Sequence, residues 1–434
     1  MTRKMKNSGI EWIGEIPEEW EVLPNKYLMK KLKLINKTYM GEEILSLTKK
    51  GVIVRDLSEG GKLPSSFDGY QILKKGNLLF CLFDYDVTPR TVGKIDKDGI
   101  SSPAYSHYTM TSIAKRDYYY YFYLLLDFTK ELLHLSKNLR SSFSEFEFGF
   151  IEAPVPSIDE QIKIANFLDK KTKQIEDVKN TINKEIENLE NYKKSVITEA
   201  VTKGLDKNVE MKDSGIEWIG EIPKQWDDGK TLFFLKMPIT DGPHTTPNLY
   251  DEGIPFVSAE AVASGNGKID FNKIRGYISE EFYLECCKKY IPKKDDIYMI
   301  KSGATTGLSA MVDTDKKFTI WSPLAVFRAD NLKIKPRLLF YILQSKYYLT
   351  QVELYWNYGT QQNIGMRTLE KLRMFVPPLN EQNQIVDYLD KKTKLIDDSI
   401  AIKQKQLETL EEYKKSLIYE YVTGKKEVKD GEES

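Results

Sequence analysis

The feature that most constrains this chain is an internal repeat. Residues 6–20 read KNSGIEWIGEIPEEW and residues 212–226 read KDSGIEWIGEIPKQW, twelve of fifteen positions identical at an offset of 206. A second pair follows, EQIKIANFLDKKTKQ at 160–174 and EQNQIVDYLDKKTKL at 381–395, at an offset of 221. That register continues through Leu189/Leu410, Tyr192/Tyr413 and Val201-Thr202/Val422-Thr423. The chain is a tandem duplication, and self-similarity on this scale decides architecture before any local propensity does. Because the offsets differ, the two intervening segments differ in length, and they share little sequence.

The second repeat predicts a helix. Ser157-x-x-Glu160 fits a capping box behind Pro154 and Pro156, and Asn380 behind Pro377 and Pro378 is a suitable N-cap. Leu168, Ile175, Ile182, Leu189 and Val196 recur every seven residues, with Val178, Ile186 and Tyr192 in a second row. The other copy offers Leu389, Ile396, Ile400, Leu407, Leu410 and Leu417, interrupted by Lys403. A seven-residue apolar repeat with charged flanks is a coiled-coil pattern, and about 44 residues would run ~66 Å. Each helix must hand the chain to a copy of the same short element, so the two are expected to pack antiparallel and to bring Met1 near Ser434. These ten residues, Leu168, Ile175, Ile182, Leu189, Val196, Leu389, Ile396, Leu407, Leu410 and Leu417, are the candidate coiled-coil and subunit-docking set.

The expected fold class is α/β (α+β): two recognition domains joined by two long antiparallel coiled-coil helices, duplicated in tandem with a cyclic pseudo-twofold arrangement. The expected boundaries are 1–20 for the repeat element, 21–153 for the first variable domain and 154–205 for the first spacer helix. In the second half they are 206–226, 227–374 and 375–426, with a flexible tail at 427–434. Short apolar runs predict strands at Leu78–Phe83, Ile254–Ser258, Ile297–Ile300 and Ala325–Phe327. Helical stretches are expected at Tyr118–Leu135 and Pro336–Leu354. Counting back from the shared Glu-Gln, RSSFS at 140–144 aligns with QQNIG at 361–365. Arginine suits guanine edges and Gln or Asn suits adenine edges in the major groove, so equivalent loops could read different bases. For any one of these residues, a solvated, self-capping loop is the alternative.

Composition narrows the function. Lys and Arg number 64 and so do Asp and Glu, which excludes a protein that grips its partner by bulk positive charge. Three cysteines give no disulfide framework and suit a reducing compartment. No apolar signal core follows Met1, and the apolar run at Tyr118–Leu126 is too short to span a bilayer; a cytoplasmic protein with no membrane partner is expected. No P-loop occurs, and His107, His134, His244 and the cysteines lack metal-ligand spacing. Asp295 or Asp296 followed by Asp315-Lys316-Lys317 makes a nuclease-like acid-x-Lys string, frequent by chance in a chain 29% charged; Asp313–Lys317 reads as a polar hairpin turn. No catalytic residue and no metal ligand is assigned.

The SGIEWIGEIP element in two copies, the turns PSIDEQIKIANFLDKKT and PPLNEQNQIVDYLDKKT, and the two-half layout resemble the specificity subunit of a type I restriction-modification enzyme, over nearly the whole chain. The second variable domain adds DGPHTTP at 241–247, GIPFVS at 253–258, KSGATTG at 301–307 and GTQQNI at 359–364; KKGNLLFCLFDYD at 74–86 is a looser counterpart. The resemblance implies two target-recognition domains, each reading half of a bipartite double-stranded DNA site, on a spacer that sets the gap and docks two methyltransferase subunits. Those subunits would bring S-adenosylmethionine for adenine-N6 methylation after base flipping. Two motor-nuclease subunits would use ATP and Mg2+, and this chain would hold no cofactor.

The DNA-contact candidates that follow are Lys49, Lys50, Arg55, Tyr85, Thr88, Arg90 and Arg140 in the first domain. In the second they are His244, Thr245, Thr246, Lys301, Thr305, Thr306, Thr360, Gln361, Gln362 and Asn363. Zero net charge implies that partner subunits supply much of the grip. A stand-alone bipartite nuclease and a non-DNA coiled-coil scaffold are the competing classes.

Overall fold

The computed structural model describes residues 3–58, 64–85, 88, 90–135, 142–358, 362–429 and 431. It forms two compact units, one of Met1–Asn183 with Gln404–Ser434 and one of Lys184–Lys403. The units are built alike, and the repeated residues explain why.

In the first unit, Met5–Asn7 and Glu15–Pro17 make an antiparallel hairpin whose turn places Gly9 and Gly14 at positive φ. In the second, Met211–Asp213 and Glu221–Pro223 do the same with Gly215 and Gly220. A side chain with a Cβ is strained in that left-handed region, so both glycines of the motif recur. The hairpins drive Ile16 and Trp20, or Ile222 and Trp226, into the core. Each tryptophan donates its indole N–H to the glutamate that opens the other repeat: Trp20 to Glu160 at 2.8 Å, Trp226 to Glu381 at 3.1 Å. The two repeats are therefore halves of one joint.

The variable segment begins and ends at a two-stranded neck, Glu21–Pro24 with Glu152–Val155 and Asp227–Lys230 with Arg373–Val376. Beyond it lies a four-stranded antiparallel sheet. Its spatial order is Met29–Leu32, Ser106–Met110, Leu78–Phe80, Val92–Lys94 in the first unit. In the second it is Thr240–Asp241, Leu324–Phe327, Ile297–Ile300, Ser309–Met311. Numbered along the chain, both sheets run 1-4-2-3, a likeness invisible in the residues. Leu78–Phe80 and Ile297–Ile300 are the buried central strands. The expected strand at Leu78–Phe83 is thus shorter: Cys81 N–H still donates to the Thr91 carbonyl, one step past the Phe80–Val92 pair, but the Leu82 carbonyl accepts from Phe143 in another segment.

The expected helices are each broken. Arg116–Thr129 ends at Lys130, φ 58°, before a short turn at Glu131–Leu135. Pro336–Gln344 and Lys346–Tyr355 are separated by Ser345, whose hydroxyl caps the second segment. The second head also carries a separate sheet of Ile254–Val257, Tyr277–Ile278 and Thr319–Ile320. Asp313–Lys317 is accordingly no hairpin turn: it carries the chain from Ser309–Met311 in one sheet to Thr319–Ile320 in the other.

Two long helices, Ile158–Lys203 (46 residues) and Leu379–Val422 (44 residues), run unbroken. They pair antiparallel within each unit. In the first, Phe167 packs against Tyr421 with the rings tilted, and Glu176 and Lys179 pair with Lys414 and Glu411 at 2.7 Å. In the second, Lys193 pairs with Asp397 at 2.7 Å, and Lys403, expected to interrupt the seam, pairs with Glu185. Leu168, Ile175, Ile182, Val196, Leu389, Ile396 and Leu417 are buried, and Leu189, Leu407 and Leu410 are half-buried.

Three expectations about these helices are corrected. Val178 and Tyr192 face solvent, because two helices bury one stripe each and the second row falls outside it. The capping box at Ser157 is half made: its hydroxyl accepts the Glu160 N–H at 3.3 Å, while the Glu160 carboxylate is taken by Trp20 and Arg3. Asn380 lies inside the first turn, since the helix starts at Leu379 directly after Pro378.

Candidate nucleic-acid interface

In the second unit the candidate loops gather at one end of the four-stranded sheet, where Asp241 pairs with Ala325 and Ile300 with Leu324. Asp241 is 1% exposed and holds three groups: Lys289 on one oxygen, Lys301 and His244 on the other at 3.3 Å each. Two ammonium groups share this one carboxylate, and Glu285 lines the same hollow beside Lys289. Gly242 is obligatory, because a Cβ there would stand 1.9 Å from the Ile320 carbonyl oxygen. That close approach fixes where Pro243–Thr246 departs, with His244, Thr245 and Thr246 exposed.

The KSGATTG loop is tied to the next candidate segment by backbone alone. Ile364 N–H donates to Lys301 O at 2.9 Å and Gly303 N–H to Gln362 O at 3.0 Å. Thr305 and Asn363 are exposed; Thr306 spends its hydroxyl on the Gly303 carbonyl at 2.7 Å. Lys301, His244, Thr305, Thr306, Gln362 and Asn363 are thus brought together. Lys301 is largely buried in its ion pair, which makes it an anchor with its charge partly spent. Thr360 and Gln361 lie outside the described residues.

The first unit repeats the joint, with Phe143 N–H donating to Leu82 O at 2.9 Å. The segment after Leu82 therefore sits where Ser302–Gly307 sits in the other head. Tyr85 must be corrected as a surface contact: it is 1% exposed, packed edge-on against Phe143 at 5.2 Å, and burial pushes its hydroxyl pKa far up. Thr88 is half-buried and bonds the Phe83 carbonyl at 3.2 Å. Arg90 donates to the Lys49 carbonyl at 2.9 Å and so ties this loop to the turn of the hairpin Leu45–Thr48/Gly51–Val54, where Lys49 and Lys50 are exposed. Arg55 follows that hairpin's second strand, at its far end from Lys49 and Lys50. Arg140 lies outside the described residues.

The nuclease-like string does not assemble. Asp296 is 1% exposed, with both oxygens held by Arg328 at 2.7 Å, and that pairing raises the guanidinium pKa further. Asp315 is exposed on the inter-sheet connection. Among the described residues no group of three His, Cys, Asp or Glu side chains could hold a metal. The residues that sequence reasoning missed are Asp241 and Lys289. Their signal was weak, although Asp241 does open the DGPHTTP motif.

Residues 241–412 match the family described as the type I restriction modification DNA specificity domain. Over 96% of both chains, the sequence is 27% identical to a candidate MjaX type I restriction enzyme specificity subunit of Methanocaldococcus jannaschii. It is 26% identical to the MjaVIII type I restriction enzyme specificity subunit of the same organism, over 96% of this chain and 95% of that one. The fold is also that of a chain solved in a study of complex assembly and conformational transition of the type I R-M system. That likeness has a TM-score of 0.66 at 14% identity, covering 94% of this chain and 99% of the other. The class so defined is that of DNA-specificity proteins. Within it, residues 241–412 match the DNA specificity domain, and nearly the whole chain is similar to specificity subunits of type I restriction-modification enzymes. Among the described residues no helix is long and apolar enough to cross a membrane.

Proposed function

We propose that the chain reads a split duplex sequence, one half with each head, and performs no reaction itself. The observation that carries this is the pairing of one frame with two chemistries. Both heads present loops from the same end of the same 1-4-2-3 sheet, and those loops share almost no side chains. Exposed Lys49 and Lys50 in the first head and Lys289 in the second supply phosphate contacts. His244, Thr245, Thr246, Thr305 and Asn363 are placed to meet base edges.

The helical pair sets the gap and docks two methyltransferase subunits, which bring S-adenosylmethionine; motor-nuclease subunits bring the ATP- and Mg2+-dependent steps. A cytoplasmic location goes with this role. The two-stranded neck makes each head a replaceable cassette, which suggests the test. Co-expression with the methyltransferase partner, followed by genome-wide mapping of N6-methyladenine, should return one bipartite motif with a fixed gap. Replacing residues 227–374 by another head should change one half of it. A stable complex whose motif is untouched by the replacement would overturn the reading.

A further inference from the structure

Arg275 is exposed, and its guanidinium carbon lies over the ring of Trp321, 3.8 Å from the ring centre. Trp321 belongs to the segment that joins the candidate loops of the second head. Ser322 N–H donates to Pro243 O at 3.2 Å, Lys301 N–H donates to Pro323 O at 2.8 Å, and Gly242 packs against the Ile320–Trp321 backbone. Arg275 therefore stands on the same end of the sheet as His244 and Thr305, though no motif of the sequence marks it.

The other described arginines of this unit show what is unusual. Arg328, Arg337 and Arg373 are each paired with an aspartate, Asp296, Asp390 and Asp228. Among the described residues, Arg367 has no acid partner and no ring beneath it. Arg275 alone combines an aromatic support with no acid partner among the described residues. An indole under a guanidinium holds its plane by cation–π attraction and stacking while leaving the in-plane N–H donors unspent. A fixed plane with a free fork matches an acceptor pair in one plane, and among base edges the O6/N7 pair of guanine is that pair.

We infer that Arg275, seated over the Trp321 ring, is a base-reading residue of the second head and that it binds the O6/N7 edge of a guanine in that head's half-site. The inference rests on the DNA-reading role proposed above. Trp321 is then a positioning residue, acting through the plane it imposes.

The test compares the full chain with R275A and R275K, each co-expressed with the methyltransferase partner, by mapping methylated adenines genome-wide. The expected result is a wild-type motif with guanine in the half-site read by residues 227–374. In R275A, discrimination at that one position should fall about tenfold to a hundredfold. R275K should not restore it, because an ammonium lacks the fork, and W321A should loosen the same position. Three results would overturn the inference: no guanine in that half-site, an unchanged motif in R275A, or a uniform drop in methylation at all sites, which marks a phosphate contact. A wild-type chain that yields no split motif would instead defeat the DNA-reading role. Unaltered thermal unfolding of R275A, expected for an exposed side chain, separates loss of reading from loss of fold.

Discussion

Gln161 and Gln382 are fully buried, and each spends its amide on three backbone groups. Gln161 accepts the Lys115 N–H at 2.7 Å and donates to the Ile113 and Pro156 carbonyls at 2.9 Å each. Gln382 does the same with Lys335, Lys333 and Pro377. Each glutamine therefore stitches its long helix to the start of the head's own helix. Replacing Gln161 by Ala should destabilise the first unit by about 3 kcal/mol, since buried backbone groups lose their partners; denaturant unfolding checks this, and a loss below about 1 kcal/mol would refute it. The shared Glu-Gln was legible in the sequence as a repeat, but its work was not, because two of the three groups each glutamine satisfies lie 46 to 49 residues away in a segment without repeat. His107 is similar. It is buried with Nε2 2.9 Å from the Asn77 amide, and burial lowers its pKa below the ordinary imidazole value. Because the unfolded chain takes up that proton first, stability is complete above the ordinary imidazole pKa and falls as pH drops below it. Thermal unfolding should therefore lose more between pH 7 and pH 5 in the wild type than in His107→Gln, and equal losses would sink the assignment.

At the scale of elements, the seven-residue stripe foretold the paired helices and the order of the repeats foretold their direction, whereas the second row did not behave as periodicity suggested. A two-helix seam has one buried line per helix, so Val178 at 47% and Tyr192 at 54% exposure stay outside it. The energetic contrast is large. Leu168→Ala removes a fully buried side chain and should cost about 2–5 kcal/mol. Tyr192→Ala should change stability by no more than about 0.5 kcal/mol. Parallel urea titrations decide this, and similar losses for both variants would mean that the second row is buried after all. The sheets of the heads were the least legible elements. Strands of three or four residues carry too little alternation to reveal that Leu78–Phe80 and Ile297–Ile300 occupy the same place. That equivalence emerges from hydrogen-bond register and from the matching joints at Leu82–Phe143 and Lys301–Ile364.

At the scale of the molecule, the two junctions that follow the long helices are chemically the same. The first helix ends at Lys203, and Gly204, φ 72°, turns the chain under Trp226, where a Cβ would come within 3.3 Å of the ring. The second helix ends at Val422, and Gly424, φ 71°, does the same beneath Trp20. There the end of the second helix is held to the first head and the first hairpin: the Tyr118 hydroxyl, on the helix Arg116–Thr129, donates to the Val422 carbonyl at 2.8 Å, and Lys425 Nζ bonds the Glu15 carbonyl of the hairpin. One junction is covalent and continues through Leu205–Glu210 to the second hairpin; the other meets the first hairpin through space. If the contacts of Gly424 and Lys425 hold the first unit as firmly as the covalent connection holds the second, the position of the covalent break is immaterial. A circular permutant with residue 429 joined to residue 3 by a short flexible linker, and opened between Asp206 and Asn208 on the exposed connection, should fold with both units intact. Its thermal unfolding should match the parent within a few degrees, since exposed loops tolerate new ends and closing a short loop costs little. Its methylation motif should keep both halves and their gap. A permutant that loses the first unit, or reads only one half-site, would show that the covalent connection at Leu205–Glu210 holds something that the contacts of Gly424 and Lys425 do not.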